Sequence, residues 1–185
     1  AFGLFADQSD AELERLMQVN LVAPMLLVRA LLPILARQPS AAVVAVGSTF
    51  GSLGYPGFAA YSASKFGLRG LIESLGREYA DGTVAFQYLS PRATRTPFNS
   101  AAADALNREL GTAQDEPIDV AEALLAAIER GDRRRQLGWP EKFFARLNGA
   151  FPALVDRALR SQLPAVRRHA CAAIPTQPEI AHETP

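Results

Sequence analysis

The chain has 185 residues, 49% of them hydrophobic, enough for one domain with a substantial core and short for two. Nineteen Lys and Arg balance nineteen Asp and Glu, so global charge gives no reason to expect a nucleic-acid partner, and the composition is not that of a disordered chain. The balance hides a split: nine basic and two acidic residues fall between Arg133 and Arg168, giving that stretch +7 and the remainder −7.

In chain order, Ser9-Asp10-Ala11-Glu12 is a capping box, followed by Leu13, Leu16, Met17, Leu21, Met25, Val28, Leu31, Leu32 and Leu35 at helical spacing. A helix is predicted from about residue 10 to about 36, with a kink near Pro24, which lacks the N–H of an i to i−4 bond. Ala41 to Val46 is a continuous apolar run, the pattern of a strand buried on both faces of a parallel sheet. After a Gly-rich loop, a second helix is predicted near 58–80, then a strand from Thr83 to Leu89. Further helices are expected near 99–110 and from Pro117 to about Arg130, and a short third strand around 136–138. From Trp139 to Ala170 the pattern is amphipathic and helical in pieces, cut by Pro152 and Pro164. The expected organisation is a main domain over 1–138, a helical extension over 139–170 and a disordered tail over 171–185. Strand, helix, strand is the parallel crossover unit, so the fold class is α/β: part of a doubly wound parallel sheet with helices on both faces. Ligands of such a sheet sit beyond the carboxyl ends of its strands.

Tyr61 and Lys65 stand four apart on one predicted helix and share a face, and Ser48 ends the first strand thirteen residues upstream of Tyr61. An ordinary phenol is a poor proton donor or acceptor at neutrality. An adjacent ammonium favours phenolate and should draw the pKa down, while a serine hydroxyl aimed at the same point orients a carbonyl or alcohol oxygen. Together these residues make a proton-transfer site that needs no metal. The lone Cys171 and the late pair His169 and His182 make a zinc site improbable. A single cysteine also suits a reducing, cytoplasmic setting. The longest uncharged stretch, Gln38–Ser64, is interrupted by four glycines and Pro56, so no membrane span is expected.

The segment Val46-Gly47-Ser48 through Tyr61-Ser62-Ala63-Ser64-Lys65 resembles the catalytic segment of the short-chain dehydrogenase/reductase family, and the likeness extends over about residues 1–130. The resemblance implies a Rossmann-type fold and hydride transfer between NAD or NADP and a small-molecule carbonyl or alcohol. It implies that Ser48 holds the substrate oxygen, that Tyr61 is the acid or base, and that Lys65 lowers the tyrosine pKa and binds the nicotinamide ribose. Asn20 resembles the family's asparagine that holds a water in a proton relay to the lysine. The loop Ser90-Pro91-Arg92-Ala93-Thr94-Arg95-Thr96 is similar to the segment that lines the nicotinamide carboxamide, with Pro91, Thr94 and Thr96 at cofactor-contacting positions. Arg92 departs from the family's glycine there and requires either another backbone geometry or an outward side chain. Arg92 or Arg95 could touch a cofactor phosphate, or simply be a solvated loop cation. Residues 97–116 would form a substrate lid, and the two long helices a homo-oligomer interface.

A dinucleotide site needs a strand, a Gly-rich turn and a helix amino terminus under the pyrophosphate, and this sequence contains no such arrangement. Family order would put it before Ala1, so the chain is expected to be the carboxyl-terminal two thirds of such an enzyme, with an apolar strand edge and helix face exposed when isolated. The basic segment fits an amphipathic helix pair covering the sheet or substrate mouth, and its aromatic and arginine interleaving would also suit peripheral contact with an anionic membrane. A non-catalytic binding or assembly module on the same scaffold is the competing function, and epimerase or dehydratase chemistry a third.

Overall fold

The computed structural model describes residues 2–172. Ser9 opens the first helix as expected: its hydroxyl accepts the Glu12 N–H at 3.3 Å, and the Glu12 carboxylate accepts the Ser9 N–H at 2.9 Å. The helix runs as α1 (Asp10–Met17), a π-helical turn (Gln18–Val22) and α2 (Ala23–Leu35). The widened turn, in which the Ala23 N–H reaches back to the Gln18 carbonyl, falls just ahead of Pro24. Proline offers no N–H to the carbonyl four residues back, that of Asn20, and the irregularity sits at that residue.

The sheet has three parallel strands in the order β1 (Ala41–Val46), β2 (Val84–Ser90) and β3 (Arg134–Gln136). Helix α3 (Ala59–Glu78) crosses between the first two, and α4 (Ala101–Glu109) and α5 (Pro117–Glu129) between the second and third. The third strand therefore begins and ends about two residues earlier than the sequence suggested. Pleating sorts β2 cleanly. Val84, Phe86 and Tyr88 form a core with Leu68 and Ile72 of α3, joined by Leu21, Val28, Leu32 and Leu35 of the first helix. On the opposite face Gln87 turns its amide to the carbonyls of Ala127, Ile128 and Asp132 at the end of α5, at 3.3–3.5 Å. Helices thus cover both faces of the sheet.

Strand β1 departs from the expectation of burial on both sides. Ala41, Val43 and Ala45 pack on the core, but Ala42 is exposed and Val46 is 50% exposed. Among the described residues β1 lies at the edge of the sheet, paired only with β2, and on its other face only Val44 is half-buried. One helix bears on the expectation of no membrane span. Asp10–Leu35 is long and apolar enough to cross a bilayer by length and composition, with Arg29 its only charge after Arg15. Here it is a packed element, held by Leu21, Val28, Leu32 and Leu35, while Val19, Leu26, Leu27 and Ile34 remain exposed on its far side.

The carboxyl-terminal helices are α6 (Glu141–Ala150), α7 (Pro152–Arg160) and α8 (Leu163–Ala172), and the prolines sit in first turns, where no N–H is required. They fold back onto the main domain. Ala165 and Val166 form a second core with Leu106 of α4, flanked by Phe2, Tyr55 and Phe58, and Asn148 donates to the Ser52 carbonyl at 3.0 Å. Of the expected disordered tail, Cys171 and Ala172 belong to α8 and the rest lies outside the described residues. Leu106 is 2% exposed, so Leu106→Ala in the intact protein is expected to cost about 2–5 kcal/mol in urea denaturation. A loss below about 1 kcal/mol would contradict the α4–α8 packing.

Candidate active site

Beyond Val46 the chain leaves the sheet but keeps its parallel bonding: the Gly47 N–H donates to the Leu89 carbonyl at 2.7 Å and the Thr49 N–H to the Pro91 carbonyl at 3.2 Å. Ser48, between them, is extended and uses its hydroxyl oxygen to accept the Phe50 N–H at 3.2 Å, capping the short turn Thr49–Gly51. Its own proton is left for the Tyr61 oxygen. Tyr61 and Lys65 lie on the first two turns of α3. The Lys65 ammonium donates to the Val46 carbonyl at 3.3 Å and stands 5.7 Å from the centre of the Tyr61 ring. Ser48, Tyr61 and Lys65 are therefore brought together at the carboxyl end of β1, where a doubly wound sheet binds its ligands.

The electrostatics differ from the expectation. Burial pushes the Tyr61 phenol above its ordinary pKa, and the Ser48 hydroxyl as hydrogen-bond partner pulls it only partly back. Burial likewise pushes the Lys65 amine down. Burial dominates the phenol, while the Lys65 ammonium stands over the ring and is engaged by a backbone carbonyl. The desolvation has a visible source in aromatic side chains packed around Tyr61. Phe50 and Phe58 approach it edge-on at 6.3 and 6.4 Å between ring centres, and Tyr55 stacks on Phe50 at 5.0 Å.

Asn20 faces the same helix by a route the sequence did not disclose. Its amide donates to the Ser64 hydroxyl at 3.1 Å, and Ser64 donates to the Tyr61 carbonyl at 2.7 Å. The helices approach closely at this point, where a Cβ on Gly67 would come within 2.8 Å of Leu21. Pro91 contributes its carbonyl to Thr49, and Thr49 accepts the Gln136 amide at 2.8 Å, a tie between the ends of all three strands. Thr94 turns its hydroxyl back to the Arg92 carbonyl at 3.1 Å. Thr96 borders a cleft of about 590 Å³ with Arg95, Asp104 and Arg108, within the segment expected to act as a lid. A second cleft of about 460 Å³ borders Tyr55, Ala59 and Ser62, on the loop and helix that carry Tyr61, and Leu159 and Leu163 across from them.

The two arginines of the loop behave differently. Arg92 forks onto Asp115, with Nε to Oδ2 at 2.9 Å and Nη2 to Oδ1, and donates to the Trp139 carbonyl at 3.1 Å, with Glu141 3.6 Å away. It is not a solvated cation but a clasp that joins the loop after β2 to the start of α5 and the start of α6. Asp115 extends the clasp through its backbone, donating to the Ala93 carbonyl and accepting the Arg95 N–H, both at 3.0 Å. Arg95 itself forms an exposed pair with Glu116 at 3.3 Å. An arginine can replace glycine because its partner lies twenty-three residues on, a pairing that local sequence does not signal.

Comparison with known proteins shows the family. The family model described as short chain dehydrogenase matches residues 1–107, and the chain belongs to that family. It is 28% identical over 153 residues to 3-ketodihydrosphingosine reductase of Dictyostelium discoideum, covering 79% of this chain and 46% of the relative. It is 30% identical over 164 residues to uncharacterized oxidoreductase YxnA of Bacillus subtilis, covering 85% and 46%. The chain thus spans about half the length of these curated relatives. Among solved structures, a short-chain dehydrogenase from Streptomyces avermitilis superposes with a TM-score of 0.68 at 25% identity, over 94% of this chain and 67% of that one. One from Burkholderia cenocepacia J2315 in complex with NADP has a TM-score of 0.72 at 22% identity, over 85% and 63%, a likeness of fold.

The clasp makes a direct prediction. In the intact protein, Arg92→Gly leaves the Asp115 and Glu141 carboxylates facing each other, and is expected to lower the thermal midpoint and expose residues 93–116 to proteolysis. Arg92→Lys, which keeps the charge but loses the fork, falls between. Equal stability of all three proteins would rule the clasp out.

Proposed function

We propose that this chain carries the proton-transfer half of an NAD(P)-dependent oxidoreductase that interconverts a carbonyl and an alcohol, with Tyr61 as the general acid or base. The observation that carries the proposal is the convergence of Tyr61, the Ser48 hydroxyl and the Lys65 ammonium at the carboxyl end of β1. The donor set fits the nicotinamide end of a dinucleotide: Lys65 spends one of its three protons on Val46, leaving two for ribose hydroxyls. The loop of Pro91, Thr94 and Thr96 leaves the end of β2, where Pro91 is bonded to Thr49 just after Ser48. When bound, the nicotinamide supplies or accepts the hydride.

The residues then divide the remaining work. Ser48 turns its proton from the Tyr61 oxygen to the substrate oxygen and orients it. A phenol whose pKa is held up by burial stays protonated at neutral pH, the form required of an acid in carbonyl reduction. Tyr61 gives that proton to the oxygen as the carbon is reduced, and its O–H bond becomes the O–H bond of the alcohol. The phenolate left behind is stabilised by the nearby Lys65 ammonium. In the oxidative direction the same raised pKa is a cost, so oxidation should be favoured by higher pH. Asn20, tied to α3 through Ser64, holds the first helix against the catalytic helix and supports proton return to Tyr61.

The aromatic surroundings of Tyr61, formed by Phe50, Tyr55 and Phe58, favour a carbonyl compound with an apolar body. The name of the Dictyostelium relative, a reductase of 3-ketodihydrosphingosine, is in keeping with that choice. In the intact protein, Tyr61→Phe is expected to lower kcat for carbonyl reduction by roughly 10²–10⁴-fold while nicotinamide fluorescence titrates as in the wild type. Wild-type turnover by Tyr61→Phe would overturn the assignment.

A further inference from the structure

Tyr88 is a large polar side chain that the site described above does not use. It lies on β2 opposite Ala45 and is 3% exposed, and its ring runs beneath the turn that carries Ser48. A Cβ on Gly47 would come within 2.2 Å of the Tyr88 Cζ, and one on Gly51 within 2.1 Å of its hydroxyl oxygen. Neither glycine has a positive φ, so both are glycines for want of space and not for backbone freedom. The Tyr88 hydroxyl donates to the Lys65 carbonyl at 3.3 Å. One buried ring therefore touches the residue before Ser48, the residue that closes the Thr49–Gly51 turn, and the helical turn that carries Lys65.

We infer that Tyr88 is a positioning residue, which sets the spacing between Ser48 and the Tyr61–Lys65 face of α3 through its ring under Gly47 and Gly51 and its hydroxyl on Lys65. The inference rests on the oxidoreductase assignment for its kinetic consequence but not for its steric one. The ring fills the volume that side chains at 47 and 51 would occupy, so the three positions are coupled: glycine at 47 is required because tyrosine stands at 88. The hydroxyl fixes α3 by an additional bond to a helical carbonyl, which has a second lone pair to accept it. Loss of that bond lets the Lys65 turn shift relative to β1. Small displacements of reacting groups of this kind lower turnover with little effect on substrate binding.

Two measurements in the intact enzyme test this. Tyr88→Phe keeps the ring and removes the hydroxyl. It is expected to lower kcat about tenfold, leave KM for the carbonyl near the wild-type value, and move the limb of the pH–rate profile that reports Tyr61. Unchanged kcat and an unmoved limb would overturn the positioning role. The second measurement needs no activity. Gly47→Ala is expected to lower the thermal midpoint strongly in the Tyr88 protein and much less when combined with Tyr88→Ala. Equal losses in the two backgrounds would overturn the steric coupling. If Tyr61→Phe keeps full turnover while the thermal coupling is found, the oxidoreductase assignment fails and the coupling stands. If Tyr61→Phe is inactive and Tyr88→Phe matches the wild type, the positioning role alone fails.

Discussion

The site depends on the parallel pairing of β1 with β2 being carried past the end of both strands. The ladder that aligns Val46 with Leu89 continues as Gly47 to Leu89 and Thr49 to Pro91, so the segment bearing Ser48 leaves the sheet in fixed register with the Pro91 loop. Without those two bonds Ser48 would sit on a free Gly-rich loop, and its distance to α3 would be set by little else. With them, the helix that crosses from β1 to β2 brings Tyr61 and Lys65 back over the same strand end. Parallel sheets place the carboxyl ends of neighbouring strands side by side as a matter of topology. In this chain the backbone bonds beyond β1 turn that general placement into a particular one.

Around this frame, the chemistry is governed by competition between burial and polar partners. Phe50 and Phe58 strip water from the Tyr61 phenol and raise its pKa, while Ser48 draws it back only in part. The Lys65 amine beside it is pushed down by the same burial, so both members of the pair are held toward their neutral forms. The loop beyond β2 is held by a different device, the fork of Arg92 on Asp115, which lets a charged residue occupy a tight place without requiring a ligand.

Much of this was legible in the sequence because it is local or periodic. The capping box at Ser9, the apolar run of β1, the i, i+4 relation of Tyr61 and Lys65 and the proline starts of α5 and α7 each follow from a short-range rule. What escaped is nonlocal. The π-helical turn at Gln18–Val22 has no compositional mark beyond the proline that follows it. The single-sided burial of β1 depends on what packs over each face of the sheet, which an uninterrupted apolar run does not specify. Arg92 finds Asp115, Gln136 finds Thr49, and Tyr88 finds Gly47 and Lys65 only once the strands are in register. The direction of the Tyr61 shift was misjudged for the same reason: the ammonium was visible four residues away, but the aromatic wall that outweighs it was not.

The central claim is that a desolvated phenol, restrained by Ser48, is the proton carrier of this site. Carbon NMR of ring-labelled tyrosine, assigned by Tyr61→Phe, measures it directly in the intact nucleotide-free protein. The account predicts that Tyr61 titrates above the ordinary phenol value and moves higher still in Ser48→Ala. A Tyr61 that titrates at or below the ordinary value, or that is indifferent to Ser48→Ala, would contradict it.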